Sequence, residues 1–224
     1  MALPEYEKIA NFARKPGNAT RTNIALVEES TATGEVAALY NHFRTHFGRP
    51  HVPGILKCFA THPPLLKHMM DLSEQLIFAE GSLGRKHKEM IATFVSVQNA
   101  CPYCVDSHSY FLRVHGGSSK ALAAIQAGDL HSPELTSAEQ ALLEFVGKVN
   151  VGSDEIHRAD VDLLIQAGWS ELQIAEAVHV AALFATLNRV ANAFGLASQG
   201  LLALYGIDDS GSRDEIALAE RIDS

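Results

Sequence analysis

Aromatic side chains are scarce in this sequence. Phe, Trp and Tyr make up 7% of its 224 residues although 47% are hydrophobic, and alanine and leucine recur throughout. β-Sandwiches draw on aromatic and β-branched residues, so this balance points to closely packed helices and an all-α chain. Positive charge is also short: 18 Lys and Arg against 26 Asp and Glu give a net charge of -8 and a pI of about 5.7. Such a field repels nucleic acid and anionic lipid, which argues against a polyanion-binding protein. Long hydrophobic runs are lacking too. The opening "MALPEYEKIANFARKPG" has no apolar signal core and no run approaches ~18 apolar residues, so a soluble cytoplasmic protein with no membrane contact is expected. Cysteine is rare, with three residues, two of them in one CxxC. That does not resemble the disulfide framework of a small secreted domain, and a cytosolic CxxC is more often catalytic or metal-binding than structural.

The length suits one domain. "RKPGNATRTN" (14–23) breaks any period with glycine, proline and asparagine and reads as flexible. From Thr33 a helical pattern sets in, with Val36, Leu39, Tyr40 and Phe43 at helical spacing and Gly48 as a stop. "THPPLLKHMMDLSEQLIFAEG" predicts a second helix ending near Gly81, with Leu65, Leu66, Met69, Leu72 and Leu76 on one broad face. "RKHKEMIATFVSVQNA" predicts a buried helix by its length. Thr136 with Glu139, and Ser170 with Gln173, have capping-box spacing. The second of these opens a segment apolar nearly all round, the expected core helix, in which Asn188 and Arg189 read as structural or interface residues. The tail after Tyr205 is acidic.

The chemistry concentrates in "NACPYCVDSH" (99–108). Pro102 suits the first position of a helix, which makes Cys101 its cap and puts Cys104 in the first turn. Free N–H groups and the positive end of the helix dipole favour a thiolate there, so both sulfurs are candidates for ionisation. His108, four residues after Cys104, shares its helical face and can exchange a proton with it. Glu89 lies in "KEMIATFVSV" above a face of small residues, Ala92, Thr93, Ser96 and Val97. If buried it needs a partner, and His108 is a reasonable one.

Glu89, Cys101, Cys104 and His108 at these spacings resemble the E-x11-C-x2-C-x3-H signature of alkylhydroperoxidase D-like proteins in the carboxymuconolactone decarboxylase superfamily. "GEVAALYNHFRTHFGRPHVPGILKCFATHPPLLKHM" is similar to that family's upstream hairpin and "GWSELQIAEAVHVAALFATLNRVANAFGL" to its closing helix. The resemblance thus spans about residues 24–206, between a flexible segment (1–23) and an acidic tail (207–224). It implies a helical bundle and a homo-oligomer. It also implies a peroxidase in which Cys104 is the peroxidatic thiol, Cys101 resolves it as a Cys101–Cys104 disulfide, and Glu89 with His108 relays protons. The substrate would be a hydroperoxide, the reductant an external dithiol, a dihydrolipoyl or thioredoxin-like protein, and no cofactor or metal is called for. Tyr103 stands where the best-known member has histidine.

Other readings stay open on the residues alone. Zinc would need further ligands, and the third cysteine, Cys58, has no cysteine near it in sequence, although His62 or His68 could join by folding. Cys58 reads as a core residue. A redox-responsive interaction protein, or a decarboxylase or lactonase working by acid and base groups alone, are the functional alternatives.

Overall fold

The computed structural model describes residues 22–205, which are helices and connecting turns with no strand among them. The expected flexible segment up to residue 21 and the acidic tail lie outside the described residues. Asn23, at the edge of the former, is tied to the end of the longest helix by its backbone N–H to Phe194 O (2.8 Å) and its side chain to Ala193 O (3.2 Å).

Ten α-helices follow one another: α1 (Gly34–His46), α2 (Gly54–Phe59), α3 (Pro63–Ser73), α4 (Arg85–Gln98), α5 (Pro102–Val114), α6 (Ser119–Ala127), α7 (Ser137–Gly152), α8 (Arg158–Gln166), α9 (Glu171–Phe194) and α10 (Leu201–Tyr205). In α1 the spaced residues Val36, Tyr40 and Phe43 turn inward, and the Tyr40 hydroxyl donates to Val27 O at 2.7 Å. α3 departs from the expected face. Leu66, Met69 and Met70 are buried while Leu65 and Leu72 are exposed, because the inward arc is narrower than the run of leucines suggested. Its last turn loosens into a π-helical turn, Glu74–Phe78, closed by Ala79 N–H to Glu74 O at 2.8 Å.

α4 and α9 form the centre. Every residue of α4 from Lys88 to Val97 is buried, against α5, α9, α7 and α6. Each large apolar side chain so enclosed contributes about 1.5–3 kcal/mol from surface removed from water. The charged ones require partners at that depth. Lys88 Nζ meets Glu176 of α9 at 2.7 Å and donates to Ala79 O at 3.1 Å. Glu176 in turn accepts from the Leu83 amide at 2.8 Å, and a side chain at Gly81 would collide with its carboxylate. That contact leaves room only for a glycine at position 81.

Both expected capping boxes form. Thr136 and Glu139 open α7, and Ser170 and Gln173 open α9. By length and composition α9 would pass for a membrane span, which the sequence reading had not expected; here it is the core helix, with Ile174, Ala177, Val180, Ala181 and Phe184 facing inward. Gly195, at φ +76°, ends it in the left-handed conformation and sends Leu196 back toward the start of α5.

Candidate active site

The site is built on the hairpin between α4 and α5. Ala100, at φ +50°, is the one non-glycine residue with positive φ among the described residues. That conformation is costly for an L side chain. It reverses the chain within three residues, so that Cys101 N–H reaches back to Ser96 O at 3.0 Å. Cys101 is then the N-cap of α5, its carbonyl accepts from Val105 N–H at 2.9 Å, and Pro102 begins the helix as expected. Both cysteines are unbonded and buried, at 0% and 3% exposure.

The two sulfurs are not equivalent. Cys101 is held below the ordinary thiol value of 9.0, first by the Cys104 thiol and then, against the opposing effect of burial, by the amides of Cys104 and Tyr103 and the Asn188 side chain. Cys104 is pushed up by the same shared hydrogen and by burial. The expectation that both ionise is therefore refined. Within the pair the Cys101 thiol is the one lowered and the Cys104 thiol the one raised, and a second charge is opposed by the first.

Asn188, expected from the sequence to be a structural or interface residue, sits at these sulfurs. It is fully buried, its Oδ1 accepts from Asn99 Nδ2 at 3.0 Å, and its own Nδ2 donates to Ser96 Oγ at 2.9 Å. The second amide hydrogen is the one left to serve the thiols, where Asn188 favours the anion on either sulfur. Its distance of twelve residues from Glu176, repeating that of Cys101 from Glu89, was the only sequence signal. Cys58 of α2 belongs to the same buried cluster as Cys101, Tyr103 and Cys104. Burial raises its thiol to about 12, so it stays protonated.

Glu89, one turn into α4, is fully buried. Its Oε1 accepts from Arg85 Nε at 2.7 Å and its Oε2 lies 2.6 Å from His108 Nδ1, so the expected pairing across the hairpin is present. Burial alone would raise the carboxyl, but the His108 and Arg85 charges outweigh it and hold it below the usual 4.5. With Glu89 ionised, Nδ1 carries hydrogen and Nε2 is the nitrogen that can take a proton. Phe184 of α9 stacks edge-on against the imidazole at 4.4 Å.

His108 also lines a cavity of about 130 Å³, walled by Phe43, Phe47, Ile55, Phe78, Phe111, Phe184 and Leu187, with Tyr103, Ser107 and Arg49 among its polar groups. The π-helical turn supplies Ile77 and Phe78 to this wall. Tyr103 lines the cavity and packs in the cluster that holds the thiols, its hydroxyl oxygen accepting from the Ile55 amide at 3.3 Å. Among the described residues no three His, Cys, Asp or Glu stand where they could hold a metal ion. What stands together is two buried free thiols, a buried acid paired with an imidazole, and an apolar chamber lined by that imidazole.

Known proteins resemble this chain in sequence and in fold. Residues 63–146 match the carboxymuconolactone decarboxylase family. An alkyl hydroperoxide reductase of Mycobacterium tuberculosis is 32% identical over 117 residues, half of this chain but a third of that protein's length. Among solved structures, a peroxidase-related protein with an alkylhydroperoxidase AhpD core from Ralstonia eutropha superposes with a TM-score of 0.71 at 22% identity, covering 80% of this chain and 95% of its own. A peroxidase-related protein from a Silicibacter species gives 0.68 at 25%, covering 80% and 94%. A debrominase, solved as a cysteine-to-alanine variant with 2,3,4-tribromopyrrole, gives 0.65 at 19%, covering 88% and 98%. The all-helical fold is thus that of the alkylhydroperoxidase core, and residues 63–146 carry the match to the carboxymuconolactone decarboxylase family.

Proposed function

We propose that this protein is a thiol-dependent hydroperoxide reductase working through Cys101 and Cys104. The observation that carries the reading is the register of one buried acid, one imidazole and two unequal thiols on a single hairpin. In the resting pair the Cys104 thiol donates to the Cys101 thiolate. As a hydroperoxide approaches from the His108 side, the shared proton passes to Cys101 and the Cys104 sulfur attacks the terminal peroxide oxygen. The O–O bond breaks, Cys104 becomes a sulfenic acid, and the leaving alkoxide departs as an alcohol by taking from His108 Nε2 the proton that the thiol pair gave it when the Cys101 thiolate formed. Glu89 stabilises the imidazolium before that transfer and fixes the ring's orientation. Cys101 then attacks the Cys104 sulfur, closing a disulfide and releasing water. An external dithiol, dihydrolipoyl or thioredoxin-like, restores both thiols by exchange, taking up the two oxidising equivalents. On this reading the protein works in the reducing cytoplasm, and its helical surfaces form a homo-oligomer.

Tyr103 supports this reading as a wall rather than a relay. Its hydroxyl is bound to the Ile55 amide and its acidity is suppressed chiefly by burial. Proton movement is left to His108 and Glu89.

The test is peroxide consumption with dihydrolipoamide as electron source. Cys104→Ser should abolish turnover, and Cys101→Ser should stall after one equivalent with a sulfenic acid that dimedone traps. Turnover unaffected by loss of both cysteines would instead point to acid and base chemistry by Glu89 and His108, as in a decarboxylase or lactonase. A change of oligomeric state on oxidation without turnover would point to a redox-responsive interaction protein.

A further inference from the structure

Phenylalanine is sparse in this chain, ten among 224 residues, yet five of the ten stand around one cavity: Phe43, Phe47, Phe78, Phe111 and Phe184, with Tyr103 as a sixth ring. They come from α1 and the residue that caps it, the π-helical turn, α5 and α9. Alanine and leucine fill much of the rest of this core, so convergence of rings from four parts of the chain is not what filling space alone requires. Phe47 packs against both Phe43 and Phe78, and the five rings together still surround an opening.

The size of the opening is informative. Its volume of about 130 Å³ is near the ~150 Å³ of an apolar cavity that stays dry and takes up one benzene ring. The walls already adopt the edge-on geometry that aromatic pairs prefer, Phe47 to Phe78 at 5.3 Å and His108 to Phe184 at 4.4 Å. A guest ring would extend the same pattern. Three polar residues of α5 also line the chamber, and their groups are partly committed: His108 Nδ1 to Glu89, the Tyr103 hydroxyl to the Ile55 amide, and the Ser107 hydroxyl to Tyr103 O at 3.1 Å. His108 Nε2 is left to meet the reactive end of a guest.

The geometry assigns this cavity to a group with one aromatic ring. Taken with the thiol-peroxidase reading, on which the reactive group alone rests, the substrate is a hydroperoxide whose O–OH is borne on the carbon next to a single aromatic ring. The ring lies among the phenylalanines and the O–OH at His108, one helical turn from Cys104. The products are the corresponding arylalkyl alcohol and water, with the dithiol oxidised.

Two measurements separate the ring assignment from the peroxidase reading. In the first, the full chain carrying Cys104→Ser is titrated with unreactive 2-phenyl-2-propanol and with 2-cyclohexyl-2-propanol, followed by the methyl resonances of Ile55 and Leu187. The phenyl compound should bind up to about tenfold more tightly, the range that aromatic contacts beyond simple burial supply. Equal or weaker binding than the cyclohexyl compound, or shifts confined to other methyls, would overturn the assignment. In the second, the wild-type protein is assayed with cumene and tert-butyl hydroperoxides. KM should be about tenfold lower for cumene hydroperoxide at similar kcat, and Phe47→Leu should narrow that ratio. Binding of the phenyl alcohol without consumption of either hydroperoxide would sink the peroxidase reading and keep the ring site. Consumption of both at equal KM, without phenyl selectivity in binding, would do the reverse.

Discussion

The carboxylate of Glu89 and the imidazole of His108, nineteen residues apart in the chain, meet at 2.6 Å across the α4–α5 hairpin, with Arg85 on the other carboxylate oxygen at 2.7 Å. The acid is fully buried and would be costly there without both partners. Glu89→Gln keeps the shape and removes the charge. It should leave the protein folded and lower the rate of peroxide consumption by about 10²–10⁴, the usual contribution of positioned acid–base groups. Glu89→Ala should also destabilise by about 3–5 kcal/mol, read from urea unfolding, because it removes the buried carboxylate that His108 Nδ1 and Arg85 Nε meet. A Gln variant with wild-type turnover would remove Glu89 from the chemistry.

The same residue sets an acid limit. Its folded carboxyl titrates below the usual 4.5, so the folded state binds its proton less readily than the unfolded chain. It therefore contributes stability above pH 4.5, and that contribution is lost as the pH falls through the depressed value. Glu139 and Glu176 shift in the same direction. The urea midpoint of the wild type should fall between pH 5 and pH 3 more steeply than that of Glu89→Gln, measured side by side. Parallel curves would contradict the linkage.

How much of this was legible in the sequence depends on range. The start of α5 at Pro102 and the capping boxes at Thr136 and Ser170 could be read because each is settled within four residues. Glu89 stands in a lysine-rich helix start, a composition that by itself suits a solvated face. Only its spacing to the cysteines and His108 drew attention to it, since burial is decided by α5 and α9 packing over α4. The phenylalanine chamber left no local signature, its walls being spread from residue 43 to residue 184. Cys58 joins the thiol cluster from 43 positions before Cys101, which no periodicity reveals. The π-helical turn and the exposure of Leu65 and Leu72 likewise reflect tertiary packing overriding a helical pattern.

Thiolate titration by ultraviolet absorbance should find one ionisation below 9.0, assigned to Cys101, and no second at neutral pH. Because the Cys104 thiol is the largest stabiliser of that anion, Cys104→Ala should move the midpoint upward, toward the ordinary value. Cys101→Ser should abolish the early step. An early ionisation that survives Cys101→Ser would reverse the assignment of charge within the pair.

Asn188 links the thiols to Ser96 and Asn99, so its removal should be felt in two ways. Asn188→Ala should cost about 1–3 kcal/mol in urea unfolding through the buried groups it leaves unmatched. It should also raise the Cys101 midpoint, a change that a purely structural role would not produce. Loss of stability with an unmoved midpoint would confine Asn188 to packing.

The central claim is that Cys101 and Cys104 form the redox pair. One equivalent of tert-butyl hydroperoxide, followed by alkylation under denaturing conditions and peptide mass spectrometry, tests it directly. The account predicts a disulfide joining Cys101 to Cys104, with Cys58 alkylated as a free thiol, and none in Cys104→Ser. Three alkylated cysteines after peroxide, or a disulfide that engages Cys58 in the wild-type protein, would contradict it.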